Sequence, residues 1–485
     1  MLAQPGAPAM TVQVRAAAPS PYPVVPPAPA PPYAQPPYAQ QPNAQQPYLA
    51  TVPAPVEERR WPRVKRLYLD LPAIDVHENL VLGFWPSMRQ SLAITNDVYY
   101  LLHTGLVSVP YPDIFPELLV SALDYAVIAT VDYISPFVPP FLGWQHEEWH
   151  RSVMSQYGIS SFNDVYNVPL FDELINVSHV TDEDLTRLKR DHPADQVRMS
   201  SAGIEGDLAR GIAFDKDRFF RGTRTYTLFI EWLGTLNAIF YMQAAAFDSN
   251  EPTEEVNVEE GANVERRDFT GLDPDGWVYD LFRPNEPYAD RGVHPSGVGI
   301  DRYRSESDLS PGELRFLQKQ ARLSWLNMIN PQLIGLYKFE AGEIGGSPFT
   351  FNAGVHHVMA PFGYTIGLNL FAKAGRYKAF AELRTFMNDT LVLPGLSVEL
   401  LRYPLPWRNA NLTPRVRLWL QPKDQSYYAE SAAFGGSLEA RLNVPLLPEL
   451  ELYVEVAGKT VGWIPGNEFL HESLNLRTGL EAFLF

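Results

Sequence analysis

From about Phe349 onward the sequence keeps a period of two. Tyr364, Ile366, Leu368 and Leu370 alternate with Thr365, Gly367 and Asn369, and Val416, Leu418 and Leu420 alternate with Arg415, Arg417 and Trp419. The same rhythm returns in Leu438, Ala440, Leu442 and Val444, in Leu452, Val454 and Val456, and in Leu474, Leu476, Leu480 and Leu484. Successive side chains of a strand point to opposite faces, so each run presents one apolar and one polar face. About eight such runs, joined by turn sequences such as Ala374-Gly375, predict a small closed antiparallel barrel over residues 346–485. The polar face carries both signs of charge together (Glu382 with Arg384, Glu439 with Arg441, Arg477 with Glu481). Such pairs can fill the interior of a membrane barrel or form the wet outside of a soluble one, and the membrane barrel is favoured.

The chain before this region has a different texture. Sixteen of its 44 prolines lie between Met1 and Pro55, and Pro31-Pro-Tyr-Ala-Gln35 repeats at once as Pro36-Pro-Tyr-Ala-Gln40. A stretch of this kind cannot bury a core, so residues 1–60 read as a disordered Pro-rich arm, either a spacer or a ligand for an aromatic-lined groove on a partner. Residues 61–345 read as a mainly helical domain, which makes the chain α+β. Apolar helices are expected over Glu117–Tyr133 and Thr225–Ala246, each with an acid inside, which favours buried or interfacial helices over plain membrane spans. Ser310-Pro-Gly-Glu313 is a capping box opening a helix that Pro331 would end, and Asp248–Arg267 reads as an exposed acidic loop.

Charge and cysteine usage narrow the chemistry. A formal net charge of −17 makes nucleic acid a poor partner, and the short cluster Arg59, Arg60, Arg63, Lys65 and Arg66 reads as a solvated junction. With no cysteine, a metal site must be built from His, Asp or Glu. Met1-Leu-Ala-Gln-Pro has neither the basic start nor the apolar core of a secretory signal.

Residues 146–150 read His-Glu-Glu-Trp-His, after Pro139-Pro140 and before Gly158, a natural helix C-cap. On a helix, positions i and i+4 share a face, so the imidazoles of His146 and His150 can reach one ion, with the Glu147 carboxylate beside them. The pattern resembles the His-Glu-x-x-His motif of the zincin class of zinc metallopeptidases. That resemblance implies a Zn2+ site with His146 and His150 as ligands and Glu147 as the general base that takes a proton from zinc-activated water.

A catalytic zinc needs a third protein ligand. Glu205, in the small-residue stretch Met199–Asp207, is the first candidate, by similarity to the downstream helical Glu of thermolysin-like zincins, with Asp207 orienting a histidine. Leu272-Asp-Pro-Asp-Gly276 is similar to the Asp-Gly ligand motif of intramembrane site-2 proteases, which offers Asp273 or Asp275, although it also reads as a turn. Glu231, alone in its apolar helix, is the third candidate. His356 and His357 would point to opposite faces of a strand and are read as structural, and no constellation surrounds His103 or His294. Trp144 and Trp149 are core or interfacial residues.

The terminal Phe485 looks like the final aromatic of bacterial outer-membrane barrels, although Glu481 falls where that pattern wants an apolar residue. Two function classes follow. The first class is a membrane-associated zinc metallopeptidase-like hydrolase acting on a peptide or a lipid-linked substrate, in contact with membrane lipid, in the bacterial outer membrane. The second is a non-enzymatic outer-membrane β-barrel, a channel or an anchor, with a helical plug. An inner-membrane site-2 type protease would require Asp273 or Asp275 at the metal, and the period-two C-terminal region argues against it.

Overall fold

The computed structural model describes residues 67–77, 86–107, 116–134, 141–167, 175–222 and 227–484. The Pro-rich arm, the basic cluster, Pro139-Pro140 and Phe485 lie outside the described residues. Helices α1 (Met88–Val107), α2 (Glu117–Ile134), α3 (Phe141–Ser155), α4 (Asp182–Asp191) and α5 (Pro193–Lys216) come first. They are followed by α6 (Leu228–Phe247), α7 (Asn250–Glu260), α8 (Asp273–Phe282) and α9 (Pro311–Leu323). Strand β1 (Leu67–His77) precedes them all, and β2 (Phe162–Asn163) and β3 (Val177–Ser178) form a small ladder of their own. Strands β4 (Phe339–Ile344), β5 (Ser347–Ala360), β6 (Gly363–Ala374), β7 (Tyr377–Met387) and β8 (Val392–Leu400) follow the helices. The chain ends with β9 (Tyr403–Pro404), β10 (Asn411–Pro422), β11 (Ala432–Leu447), β12 (Leu450–Lys459) and β13 (Ser473–Leu484).

The fold is therefore α+β with one large antiparallel sheet. The closed barrel of about eight strands is corrected in two respects: among the described residues the sheet has eleven strands, and it does not close. Its path runs β1-β13-β12-β11-β10-β8-β7-β6-β5-β4, with β9 beside β10. The extra strand at one end comes from the stretch read as helical: β1 pairs with β13 from Leu67 opposite Leu484 to His77 opposite Asn475. Pro72 and a bulge before Ile74 interrupt its alternation, which hid it in the sequence, and a proline is tolerated at the sheet's end. At the other end β4 covers only the first turn of β5, and the remaining edge bonds to non-sheet groups. Val355 donates its N–H to the Ile329 carbonyl (2.8 Å) and His357 to the Asn327 side chain (2.7 Å).

The two faces of the sheet have exchanged their usual environments. Asp70, Glu399, Arg415, Glu439, Arg441, Glu455, Arg477 and Glu481 face inward and pair with one another. Arg441 bridges Asp70 (2.9 Å) and Glu481 (2.5 Å), Arg477 bridges Asp75 (3.0 Å) and Glu455 (2.7 Å), and Arg415 bridges Glu399 (2.7 Å) and Glu439 (3.0 Å). The apolar set read from the sequence faces out: Val416, Leu418, Leu438, Val454, Val456, Leu474 and Leu476 are all exposed. Helices cover the charged face and are tied to it, Arg89 of α1 to Glu439 (2.6 Å) and Glu455 (2.9 Å), and Lys216 of α5 to Glu399 (2.6 Å). A cavity of about 330 Å³ remains between α1, α5 and this face.

Other local readings fare unevenly. The Ser310–Glu313 capping box opens α9, but that helix ends at Leu323, well before Pro331, because a 3-10 turn over Ser324–Met328 takes over. The acidic stretch 248–267 is not all loop: α7 forms there, with none of its residues fully buried, since Glu is a good helix former. Among the described residues no helix is long and apolar enough to cross a membrane.

Helix α8 is clamped at its far end. Asp280 is buried and bonds Lys189 of α4 (2.8 Å) and Arg291 (2.7 Å). Burial pushes its carboxyl up, but the Arg291 and Lys189 cations more than reverse this and hold it at about 2, against an ordinary 3.8. A depressed carboxylate contributes stability above its unfolded value and loses it as pH falls through the folded one, so this contribution, about 2 kcal/mol, fades between about pH 4 and pH 2. Asp280→Asn strands two buried cations and is expected to cost about 3–5 kcal/mol at pH 7. Urea unfolding in detergent at pH 7 and pH 3 should show the variant losing less on acidification than the wild type.

Candidate metal centre

Three helices meet at the site. Helix α3 carries the His-Glu-Glu-Trp-His sequence and ends where expected, with Gly158 in the left-handed region (φ 65°) and the Ile159 N–H on the Met154 carbonyl. Helix α5 crosses α3 closely because Gly203 and Gly206 face it, Gly206 against the buried Trp149 ring. Helix α8 starts at Asp273, with Pro274 in its first turn, where the missing N–H costs nothing. The Asp-Pro-Asp-Gly stretch is thus a helix start rather than a free turn.

His146, His150 and Asp273 each bring a ligand atom to one point, all within 4.8 Å of one another, so this buried group can hold a metal ion. The His150 Nδ1 lies 2.6 Å from the Met199 carbonyl, which only accepts, so Nδ1 carries the proton. In the neutral ring, Nε2 is then a bare lone pair. It is buried, has no hydrogen-bond partner, and faces Asp273 Oδ2 at 3.2 Å. The His146 ring stands between two carboxylates, with Nδ1 on Asp207 Oδ2 (3.0 Å) and Nε2 on Asp273 Oδ2 (2.9 Å). These acceptors repel unless a positive charge, a proton on the His146 ring or a metal ion, stands among them. Donors around a small tetrahedral ion with bonds of ~2.0–2.1 Å lie about 3.3 Å apart, close to these separations.

The surroundings hold the donors in place. Asp207 also accepts from Arg210 (2.9 Å), and Arg210 reaches Gln145 of α3 (3.3 Å), so Asp207 fixes the His146 ring as the sequence suggested. The Phe269 ring packs on His150 (centroids 4.9 Å apart), and the Tyr241 hydroxyl accepts the Asp273 N–H (2.9 Å). Burial pushes the His146 imidazole down, but Asp207 and Asp273 overcome this and raise its proton affinity well above the ordinary value. Asp273 is pushed up by burial and brought below its usual value by His150 and His146. Both directions express one demand of the site, a positive charge between the rings and the carboxylate.

Glu147 is buried beside this group. Burial raises its carboxyl well above the usual range; Asp268, Asp273 and Asp207 add to the rise and His146 opposes it. Asp268 is pushed to about 6 by burial and by Asp273, while accepting the N–H groups of Val177 (3.1 Å) and Gly271 (2.9 Å).

The other residues considered from the sequence are elsewhere. Glu205 is buried on the opposite side of α5, paired with Arg198 (2.8 Å) and accepting from Trp463 Nε1 (3.1 Å) and the Gly466 N–H (2.8 Å). It ties α5 to the β12–β13 connection and is not part of the His146–His150–Asp273 group. Glu231 pairs with Arg218, and Asp275 is buried one turn into α8, away from the group. His356 pairs with Glu382 (2.9 Å), His357 faces Gln320 (2.8 Å) and His103 contacts Asp132 (2.6 Å).

The residue missed in the sequence is Gly203. A Cβ there would lie 2.3 Å from His146 Nε2 and 2.4 Å from His150 Nε2, inside the space between the donors. Its signal was present: Met199, Gly203 and Asp207 are four apart and share one face of α5. No family model, no curated protein and no solved structure matches this chain.

Gly203→Ala is expected to abolish metal retention. Gly211→Ala, whose added methyl meets only Glu231 at 3.6 Å, should leave it intact. Metal content after dialysis of the two purified variants checks this.

Proposed function

We propose that the chain is a membrane-associated zinc hydrolase of the metallopeptidase type, with His146, His150 and Asp273 as ligands and Glu147 as general base. Asp273 takes the place first read for Glu205. The observation that supports it is the aim of two imidazole Nε2 atoms at one oxygen of Asp273, with the Nδ1 of each ring held by Asp207 or by the Met199 carbonyl. A nitrogen–nitrogen–oxygen donor set suits zinc and leaves a fourth position for water or substrate. Zinc, when bound, would polarise a scissile carbonyl and lower the pKa of a water molecule to about 7.

The chain's own groups supply the rest. Glu147, one residue beyond the first ligand and buried beside the group, is placed to receive a proton and pass it to a leaving amine or alcohol. Asp207 and the Met199 carbonyl hold the Nδ1 edges of the two rings and so turn each Nε2 toward the metal position, and the buried surroundings exclude bulk water.

The sheet supports the membrane part of the reading. On β11 the outward residues from Phe434 to Leu446 cover about 40 Å of strand, and a tilt of ~40° reduces this to a band of about 30 Å, the thickness of a bilayer's hydrocarbon core. Tyr377, Tyr403 and Trp407 are exposed at one end of the strands, as an interfacial aromatic girdle would require. The bacterial outer membrane is the setting that suits such a sheet, and the substrate would be a peptide or a lipid-linked amide or ester. The second reading, a non-enzymatic barrel-like channel or anchor plugged by helices, draws on Arg89 and Lys216 bonding the helical layer into the charged face.

Two measurements test the proposal. Elemental analysis of detergent-purified protein should give about one zinc per chain, lost in His146→Ala and Asp273→Ala and kept in Glu205→Gln and Glu147→Gln, with Glu147→Gln lowering hydrolysis by ~10²–10⁴-fold. Zinc that survives Asp273→Ala but not Glu205→Gln would reverse the ligand assignment. Leu438→Arg, on the outward face, should cost about 2–4 kcal/mol in vesicle refolding titrations, whereas a soluble sheet would tolerate it.

A further inference from the structure

The sheet's two end strands do not pair with each other, and helices fill the interval. Packing runs without a break from β1 to α1, α2 and α6, then through the turns Ser324–Met328 and Pro331–Ile334 to the free edge of β5. The outward surface of this stretch is apolar. Tyr133 of α2, Trp232 and Phe240 of α6, and Trp325, Ile329 and Ile334 beyond them are all exposed, and Phe240 touches Trp325 (centroids 6.2 Å apart).

Charge is distributed as a lipid-facing wall would have it. After Glu117 at its first residue, α2 carries only Asp124 and Asp132, both buried. Helix α6 carries only Glu231, also buried and paired with Arg218. Residues 323–337 hold no charge. Ionisable groups that turn inward from an uncharged outer face are the pattern of helices against hydrocarbon.

We infer that α2, α6 and residues 324–336 close the seam between β1 and β5 as part of the same lipid-facing wall, in contact with the acyl chains of the bilayer that surrounds the sheet. The inference rests on the membrane reading of the sheet and is independent of the metal. It is argued from continuity: the turns Ser324–Met328 and Pro331–Ile334 pack directly on β5, so their exposed apolar residues adjoin the sheet. The helices lie in the wall beside the strands and need not cross the bilayer alone, in keeping with their buried acids. Tyr241, next to the lipid-facing Phe240, has its ring 6.1 Å from the His146 ring. The metal-binding group would then stand about one helix diameter, ~10 Å, from lipid.

The chain has no cysteine, so single cysteines can be introduced at exposed positions and spin-labelled. The full chain would carry Tyr133→Cys, Phe240→Cys, Leu438→Cys on the sheet, or Val258→Cys on α7. Each label is read in phosphatidylethanolamine–phosphatidylglycerol vesicles by relaxation with oxygen against a water-soluble nickel chelate. The expected result is preferential oxygen access at 133, 240 and 438, and nickel access at 258. Nickel access at 133 and 240 with oxygen access at 438 overturns the inference and leaves the membrane reading of the sheet intact. Nickel access at all four positions overturns that reading too. Labels at 133 and 240 that are immobile and reached by neither reagent would show a second copy or another protein on this face, and would also overturn it.

Discussion

A buried charge must have a partner, and most of this architecture follows from that rule. The inward face of the sheet holds arginines and glutamates from six strands, and their mutual pairing leaves acids such as Glu399, Glu439 and Glu455 with bonds still to make. Arg89 and Lys216 supply those bonds from α1 and α5, which is why helices and not water cover this face. With the polar residues turned inward, the apolar half of every strand has only the outside left to it.

Helix α5 carries the consequence to the site. Its Lys216 end is tied to β8 and its Glu205 to the β12–β13 connection, so its position over the sheet is fixed at two heights. Between them, the face with Met199, Gly203 and Asp207 orients both imidazoles and leaves the space that their Nε2 atoms share. The group that can hold a metal depends on the sheet through this one helix.

Much of this was legible in the sequence. His146 and His150 shared a helix face by spacing alone, and the charge-bearing alternation of the C-terminal strands already allowed the inverted sheet. The choice of Glu205 conflicted with the reading of Asp207, because residues two apart on a helix point some 200° from each other and cannot both serve one site. Had that geometry been applied, Asp207 would have excluded Glu205 and returned attention to Asp273. What sequence spacing could not supply was contact across the fold: β1 meets β13 over some four hundred residues, and the ends of the sheet were decided by such pairings. The Asp-Pro-Asp-Gly stretch is good turn text and equally good helix-start text, and only the packing of α8 on α5 distinguishes the two.

In the proposed centre two histidine nitrogens and the Asp273 carboxylate surround one zinc ion. X-ray absorption at the zinc edge of the purified chain reads that shell directly. Nitrogen and oxygen neighbours at ~2.0–2.2 Å with the outer scattering of two imidazoles, and a changed shell in Asp273→Ala, are expected. A shell without imidazole scattering, or one that Asp273→Ala leaves unchanged, would contradict it.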